Sequence, residues 1–80
     1  MNVGEAVKER ILELCRERDI SINKLCTMSG VTQSTVNNIV SGRNKSVTIS
    51  TIKKLCDGLD ITLGEFFSTP EFDALEQEIK

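Results

Sequence analysis

Apolar residues recur at intervals of three and four positions along almost the whole chain, which places them on one face of successive α-helices. The clearest set, Val7, Ile11, Leu14 and Cys15, lies within a first predicted helix over about residues 3–18. The alternating pattern of a strand is missing, because the one β-branched stretch, residues 46–51, continues into a helical pattern. The sequence therefore predicts an all-α fold.

Residues that favour helix starts precede each of the later apolar segments. They are Ser21, Thr32, Thr48, Thr62 and Thr69. Gly30 is placed to end the second helix and Gly42 to close the third, while Pro70 is suited to the first position of a helix. We predict a compact bundle of five short helices and a short C-terminal helix whose apolar stripe is Phe72, Leu75 and Ile79.

Length and composition limit the classes of protein that the chain can represent. Its 80 residues suit one domain, which we place at residues 1–68, followed by an acidic amphipathic segment at residues 69–80. No apolar run approaches the length of a membrane span, and residues 1–14 lack the apolar core of a signal peptide. Together with an odd number of cysteines, this favours a cytoplasmic protein.

Signals for catalysis or metal binding are missing. The chain has no histidine, and its three cysteines, Cys15, Cys26 and Cys56, form no C-x-x-C pair. Each cysteine lies among apolar residues at helical spacing, which favours a buried role. We expect no enzyme activity, no cofactor, no metal and no small-molecule ligand.

The charges are unevenly distributed, although the net charge is only −2. Residues 20–56 hold five cations and no acid, whereas residues 57–80 hold seven acids and one cation. Chance variation in a short chain explains such a pattern, and so does a basic surface for nucleic acid. The motif below favours the second explanation.

Residues 22–41 have the spacing of a helix-turn-helix motif. Leu25 and the small Cys26 occupy its first helix, and Gly30 occupies the turn, where a positive φ angle is required. Val31, Val36 and Ile39 then supply the buried side of a second motif helix, which we expect over about residues 32–41. This arrangement leaves the opposite face of that helix for other contacts.

The opposite face is rich in amides and hydroxyls and contains no acid. It consists of Gln33, Ser34, Asn37, Asn38 and Ser41. Asn and Gln side chains bind adenine through two hydrogen bonds in the major groove, and Ser pairs with either donors or acceptors. A solvated polar face is the alternative, but the motif spacing and the acid-free surroundings favour base recognition.

The chain resembles the lambda-repressor and Cro-like (Xre) family of bacterial and phage DNA-binding proteins. The resemblance rests on residues 21–26 and 29–39, then on Ser41-Gly42-Arg43, residues 51–56 and residues 59–67. It covers nearly all of residues 3–67, with the later helices in register with the motif.

The resemblance implies that the third helix of a five-helix domain enters the major groove of double-stranded DNA. The implied base-reading residues are Thr32, Gln33, Ser34, Asn37 and Asn38. The implied phosphate-binding residues are Ser21, Asn23, Lys24, Thr35, Ser41, Arg43, Asn44 and Lys45. Lys53 and Lys54 either add long-range attraction or form an ordinary solvated face.

The chain departs from the family pattern in two ways. Many members pair a buried Arg near the end of the first helix with a Glu near the end of the third, where this chain has Cys15 and Val40. Replacing both partners leaves no unpaired buried charge, so the fold is compatible with the change. Val47 stands where a proline is usual before the fourth helix, which makes the phosphate contacts of residues 42–48 harder to place.

The main functional hypothesis is a small sequence-specific transcriptional regulator, most simply a repressor, that binds DNA as a homodimer. The alternative is a protein-interaction module of the same fold, such as an antitoxin that masks a partner. The C-terminal segment either packs on its own domain or meets its copy in a second chain. No contact with a membrane is expected.

Overall fold

The computed structural model describes residues 2–43, 47–75 and 77, and this part of the chain forms helices and no strand. The helices are α1 (Val3–Arg18), α2 (Ile22–Ser29), α3 (Gln33–Val40), α4 (Ile49–Leu59), α5 (Leu63–Phe67) and α6 (Pro70–Asp73). The predicted all-α bundle of five helices with a short C-terminal helix is confirmed. Among the described residues, no helix is long and apolar enough to cross a membrane.

The predicted N-caps of α2 to α5 are confirmed. The side-chain oxygens of Ser21, Thr32, Thr48 and Thr62 accept backbone N–H groups three residues on, at 3.0, 3.4, 3.2 and 3.0 Å. At α5 the bond is reciprocal, because the Glu65 carboxylate accepts the N–H of Thr62 at 3.0 Å. These local bonds fix where each helix begins.

The C-terminal helix is shorter than the predicted stripe. Thr69 precedes α6 without a side-chain cap bond, and Ala74 ends the helix, so the prediction of a helical Leu75 is wrong. Ile79 lies outside the described residues. Phe72 packs against the domain core and lies edge-on to Phe67, with ring centroids 4.9 Å apart. Of the two roles predicted for the C-terminal segment, packing on its own domain is therefore observed at Phe72. The domain boundary at residue 68 stays a prediction.

One apolar core joins the helices. Its innermost side chains have 0–2% of their surface exposed. They are Ala6, Val7, Ile11, Leu25, Val36, Ile39, Ile52, Leu55, Cys56 and Phe66. No buried side-chain nitrogen or oxygen in the described part of the chain lacks a hydrogen-bond partner.

All three cysteines are buried and carry free thiols, as predicted. Burial raises the pKa of each thiol, with a smaller contribution at Cys15 from the nearby Cys26 and at Cys56 from Asp57. Cys15 is 6% exposed and Val40 is partly buried against the same core. Cys15 and Val40 thus fill with apolar packing the two positions where many family members have an ion pair.

Two arginines of α1 bind the ends of distant helices. The Arg10 guanidinium donates to the carbonyl oxygens of Phe66 and Glu65 at 2.7 and 2.8 Å, and it also pairs with the Glu13 carboxylate. Arg18 donates to the carbonyl oxygen of Leu59 at 2.9 Å. Helix C-termini have carbonyl groups without intrahelical partners, so these bonds attach α4 and α5 to α1.

Helices α2 and α4 pack closely where Gly58 faces Ser29. A Cβ atom added at Gly58 would lie 2.7 Å from the Ser29 Cα and 2.8 Å from its backbone nitrogen. The end of α2, and hence the turn that leads to α3, is therefore placed by the absence of a side chain on α4.

Two helices end on aspartates in the left-handed conformation. Asp19 follows α1 with φ 53°, and Asp60 follows α4 with φ 57°. Their backbone N–H groups close the last turns on the carbonyl groups of those helices. Glycine is the usual residue at such positions, since it has no Cβ to resist a positive φ.

We expect Gly58→Ala to lower the free energy of unfolding by about 1–3 kcal/mol, because the new methyl group meets Ser29 backbone atoms. The matched control is Gly64→Ala, where the nearest atom is 3.7 Å away and the added methyl suits a helix. Urea unfolding of both variants measures the effect. Equal losses at the two sites would contradict the role given to the contact between α2 and α4.

Raised thiol pKa values predict that stability falls in alkaline solution. Unfolded thiols ionise from about pH 8.5, whereas burial raises the pKa of the folded Cys56 thiol, which ionises only at a higher pH. The stability that the raised thiol pKa values contribute is therefore fully present below that pH, and it is lost as the pH rises toward the pKa of the folded thiols. We expect Cys56→Ala to be less stable at neutral pH, but to lose less free energy of unfolding between about pH 7 and 9.5. An unchanged pH dependence in urea titrations would refute this.

Candidate nucleic-acid interface

The candidate interface is built on α3, which follows α2 after a tight turn. Gly30 ends α2 with φ 71°, and Val31 is buried in the turn. On α3 itself, Val36 and Ile39 are completely buried. Because these two side chains fix the rotation of the helix about its axis, they determine which residues face outward.

The outward face of α3 holds the residues that the sequence predicted there. Gln33, Ser34, Asn37, Asn38 and Ser41 are all exposed. Gln33 and Asn37 are four positions apart and lie one above the other, as do Ser34 and Asn38. Three exposed amides are thus presented together on one side of a short helix.

Hydroxyl groups gather at the start of α3. The Thr32 hydroxyl lies 2.8 Å from that of Thr35 and 3.4 Å from that of Ser34. Thr35, unlike its neighbours on the outward face, is partly buried. At the other end of the helix, the Ser41 hydroxyl donates to the carbonyl oxygen of Asn38 at 3.3 Å.

Besides Thr35 on α3 and Ser41 at its end, the predicted phosphate-binding residues that the structure describes lie at two places. Ser21, Asn23 and Lys24 are exposed at the start of α2, and Arg43 is exposed just after Gly42. The Thr27 hydroxyl donates to the backbone carbonyl oxygen of Asn23 at 3.2 Å, so this bond does not involve the Asn23 side chain. Asn44 and Lys45, which were also predicted to bind phosphate, lie outside the described residues.

Charges in the first helical turns separate the helices into two groups. The first turns of α2, α3 and α4 carry no acidic residue, whereas those of α1 and α5 carry Glu5 and Glu65. Helix N-termini attract negative charge, and an acid in the first turn competes with an external anion. The starts of α2 and α3, next to the candidate residues, are therefore favourable for anions.

One of the two cations of α4 is compensated within the helix. Lys53 forms an exposed ion pair with Asp57, four residues further along α4. This spacing is visible in the sequence as a favourable pair on a helix. For Lys53, the ion pair favours an ordinary solvated face over a contact with phosphate. Lys54 is exposed on the same helix.

The geometry defines a helix-turn-helix protein. α2 and α3 are joined by a glycine turn, and α3 buries one side while it exposes a polar face. A model of the Cro/C1-type helix-turn-helix DNA-binding domain matches residues 10–71. The chain belongs to this family, as its resemblance to lambda-repressor and Cro-like proteins predicted.

A solved structure supports the same assignment. The chain is similar to the crystal structure of the prophage Lp1 protein 11, with 39% identity and a TM-score of 0.82. The similarity covers 94% of this chain and 100% of that one. A comparison with curated proteins found no match.

Proposed function

We propose that the protein is a sequence-specific DNA-binding regulator that inserts α3 into the major groove of its operator. The observation that carries the proposal is the two-sided character of α3. Val36 and Ile39 are fully buried, while Gln33, Asn37 and Asn38 are exposed in a domain of the Cro/C1 type. A helix held in this way presents hydrogen-bonding groups to base edges without losing its place in the core.

The proposal divides the site residues by role. The residues that face base edges are Thr32, Gln33, Ser34, Asn37 and Asn38. The other candidates bind the phosphates of the DNA backbone. Among these phosphate-binding candidates, Lys24 at the start of α2 and Arg43 after α3 are exposed cations. Such contacts position the protein without reading sequence. The exposed residues at the starts of α2 and α3 add N–H groups and hydroxyls in turns that contain no acid.

We further propose that the regulator acts as a repressor, because a small domain bound to promoter DNA blocks other proteins from that DNA. We propose the cytoplasm as the place where it acts. The proposal of a homodimer follows from the family, whose members read two half-sites about one helical turn apart.

Replacing a base-reading amide and a backbone-binding cation should have different effects. We expect Gln33→Ala and Asn38→Ala each to weaken binding to the selected operator by about 1–3 kcal/mol while sparing unrelated DNA. We expect Arg43→Ala to weaken binding to all duplexes and to reduce the slope of log K against log salt by about 1. Fluorescence anisotropy at several salt concentrations, with operator and scrambled duplexes, measures both effects.

Full discrimination in both amide variants would contradict the orientation proposed for α3. Absence of DNA binding by the wild-type protein, even at low salt, would overturn the proposed function and favour the protein-interaction alternative.

The dimer proposal makes a separate prediction. An operator with two half-sites should bind two chains cooperatively, and a duplex with one half-site should bind much more weakly. Analytical ultracentrifugation of both complexes gives the stoichiometry. Equal affinity for the two duplexes, with one chain on each half-site, would rule out the dimer.

A further inference from the structure

The hydrogen-bonding groups available on α3 restrict which base pairs it can read. Between Gly30 and Gly42 the chain contains no Arg, Lys, Asp or Glu. Arg and Lys are the side chains that bind guanine through O6 and N7, and Asp and Glu accept from the N4 amino group of cytosine. The helix therefore lacks the usual side chains for either base of a G·C pair.

The hydroxyls of the two residues that flank α3, Thr32 and Ser41, already make hydrogen bonds within the protein. The Thr32 hydroxyl accepts the N–H of Thr35 and lies 2.8 Å from the Thr35 hydroxyl, and Ser41 donates to the Asn38 carbonyl. The three amides of Gln33, Asn37 and Asn38 are exposed instead. Each amide carries one acceptor and two donor hydrogens, the complement of N6 and N7 of adenine.

We infer that the operator presents A·T pairs to Gln33, Asn37 and Asn38, with adenine contacted in the major groove. The inference rests on the proposed function and names the bases that this function would select. Gln33 and Asn37 are separated by about 6 Å along the helix axis. Base pairs are stacked about 3.4 Å apart, so a helix lying along the groove would bring these two amides to A·T pairs about two steps apart.

The test begins with selection of binding sites from a random duplex library by the full chain. The same selection is made with Gln33→Ala, Asn37→Ala and Asn38→Ala. The base pairs that a side chain reads are those whose preference disappears when that side chain is removed. Gln77→Ala is the matched control, because it removes an exposed amide beyond α6. Circular dichroism of each variant verifies that the helices are retained.

A second measurement tests the atoms involved. Replacing the contacted adenine by 7-deazaadenine removes the N7 acceptor and keeps base pairing with thymine. We expect this replacement to weaken wild-type binding by about fivefold or more, and to have little additional effect on the alanine variant that lacks the matching amide. We also expect Gln33→Arg to change the preference at its position from A·T to G·C.

The outcomes separate the inference from the proposed function. Loss of A·T preference in an amide variant, together with the effect of 7-deazaadenine, supports the inference. Selected sites with G·C pairs at the affected positions, or unchanged preferences in all three variants, would overturn the inference and leave a DNA-binding regulator. Failure of the wild-type chain to select any duplex would overturn both.

Discussion

Helix α3 depends on burial of one of its sides. An isolated helix as short as the eight residues of α3 is unstable in water, because formation of its first turn is costly and few hydrogen bonds follow. Val36 and Ile39 offset this cost through complete burial in the core. The same two contacts stabilise the helix and orient it, so the polar face is a consequence of packing as much as of composition.

The remaining helices hold that packing in place by several kinds of contact. Apolar side chains form the centre, while Arg10 and Arg18 bind carbonyl groups at the ends of α5 and α4. Cys15 and Val40 contribute apolar packing where many relatives have an ion pair. The charged groups of Arg10 and Arg18 thus act at helix ends, where each guanidinium has a carbonyl acceptor, and in the described part of the chain no ion pair is buried between α1 and α3.

The sequence predicted those features that depend on neighbouring residues. The starts of α2 to α5 followed from Ser and Thr caps, whose partners are three residues away. The outward face of α3 followed from helical periodicity. The close approach of Gly58 to Ser29 could not be predicted in this way, and neither could the bond from Arg10 to a residue 56 positions distant. A glycine and an arginine inside helical patterns have no distinguishing local signal, since their roles depend on tertiary structure. Roles in DNA binding at Thr32 or Lys24 also depend on a partner and stay predictions.

The left-handed aspartates after α1 and α4 have a consequence for the lifetime of the protein in a cell. A carboxylate at a helix C-terminus faces carbonyl groups of the same sign, and a Cβ is unfavourable at a positive φ. Asp19 and Asp60 therefore hold the domain below the stability that glycine would give it. Proteases remove chains from the unfolded population, which grows as the free energy of unfolding decreases. Two residues distant in sequence from α3 thus help to set how long each copy persists and how quickly its concentration follows synthesis.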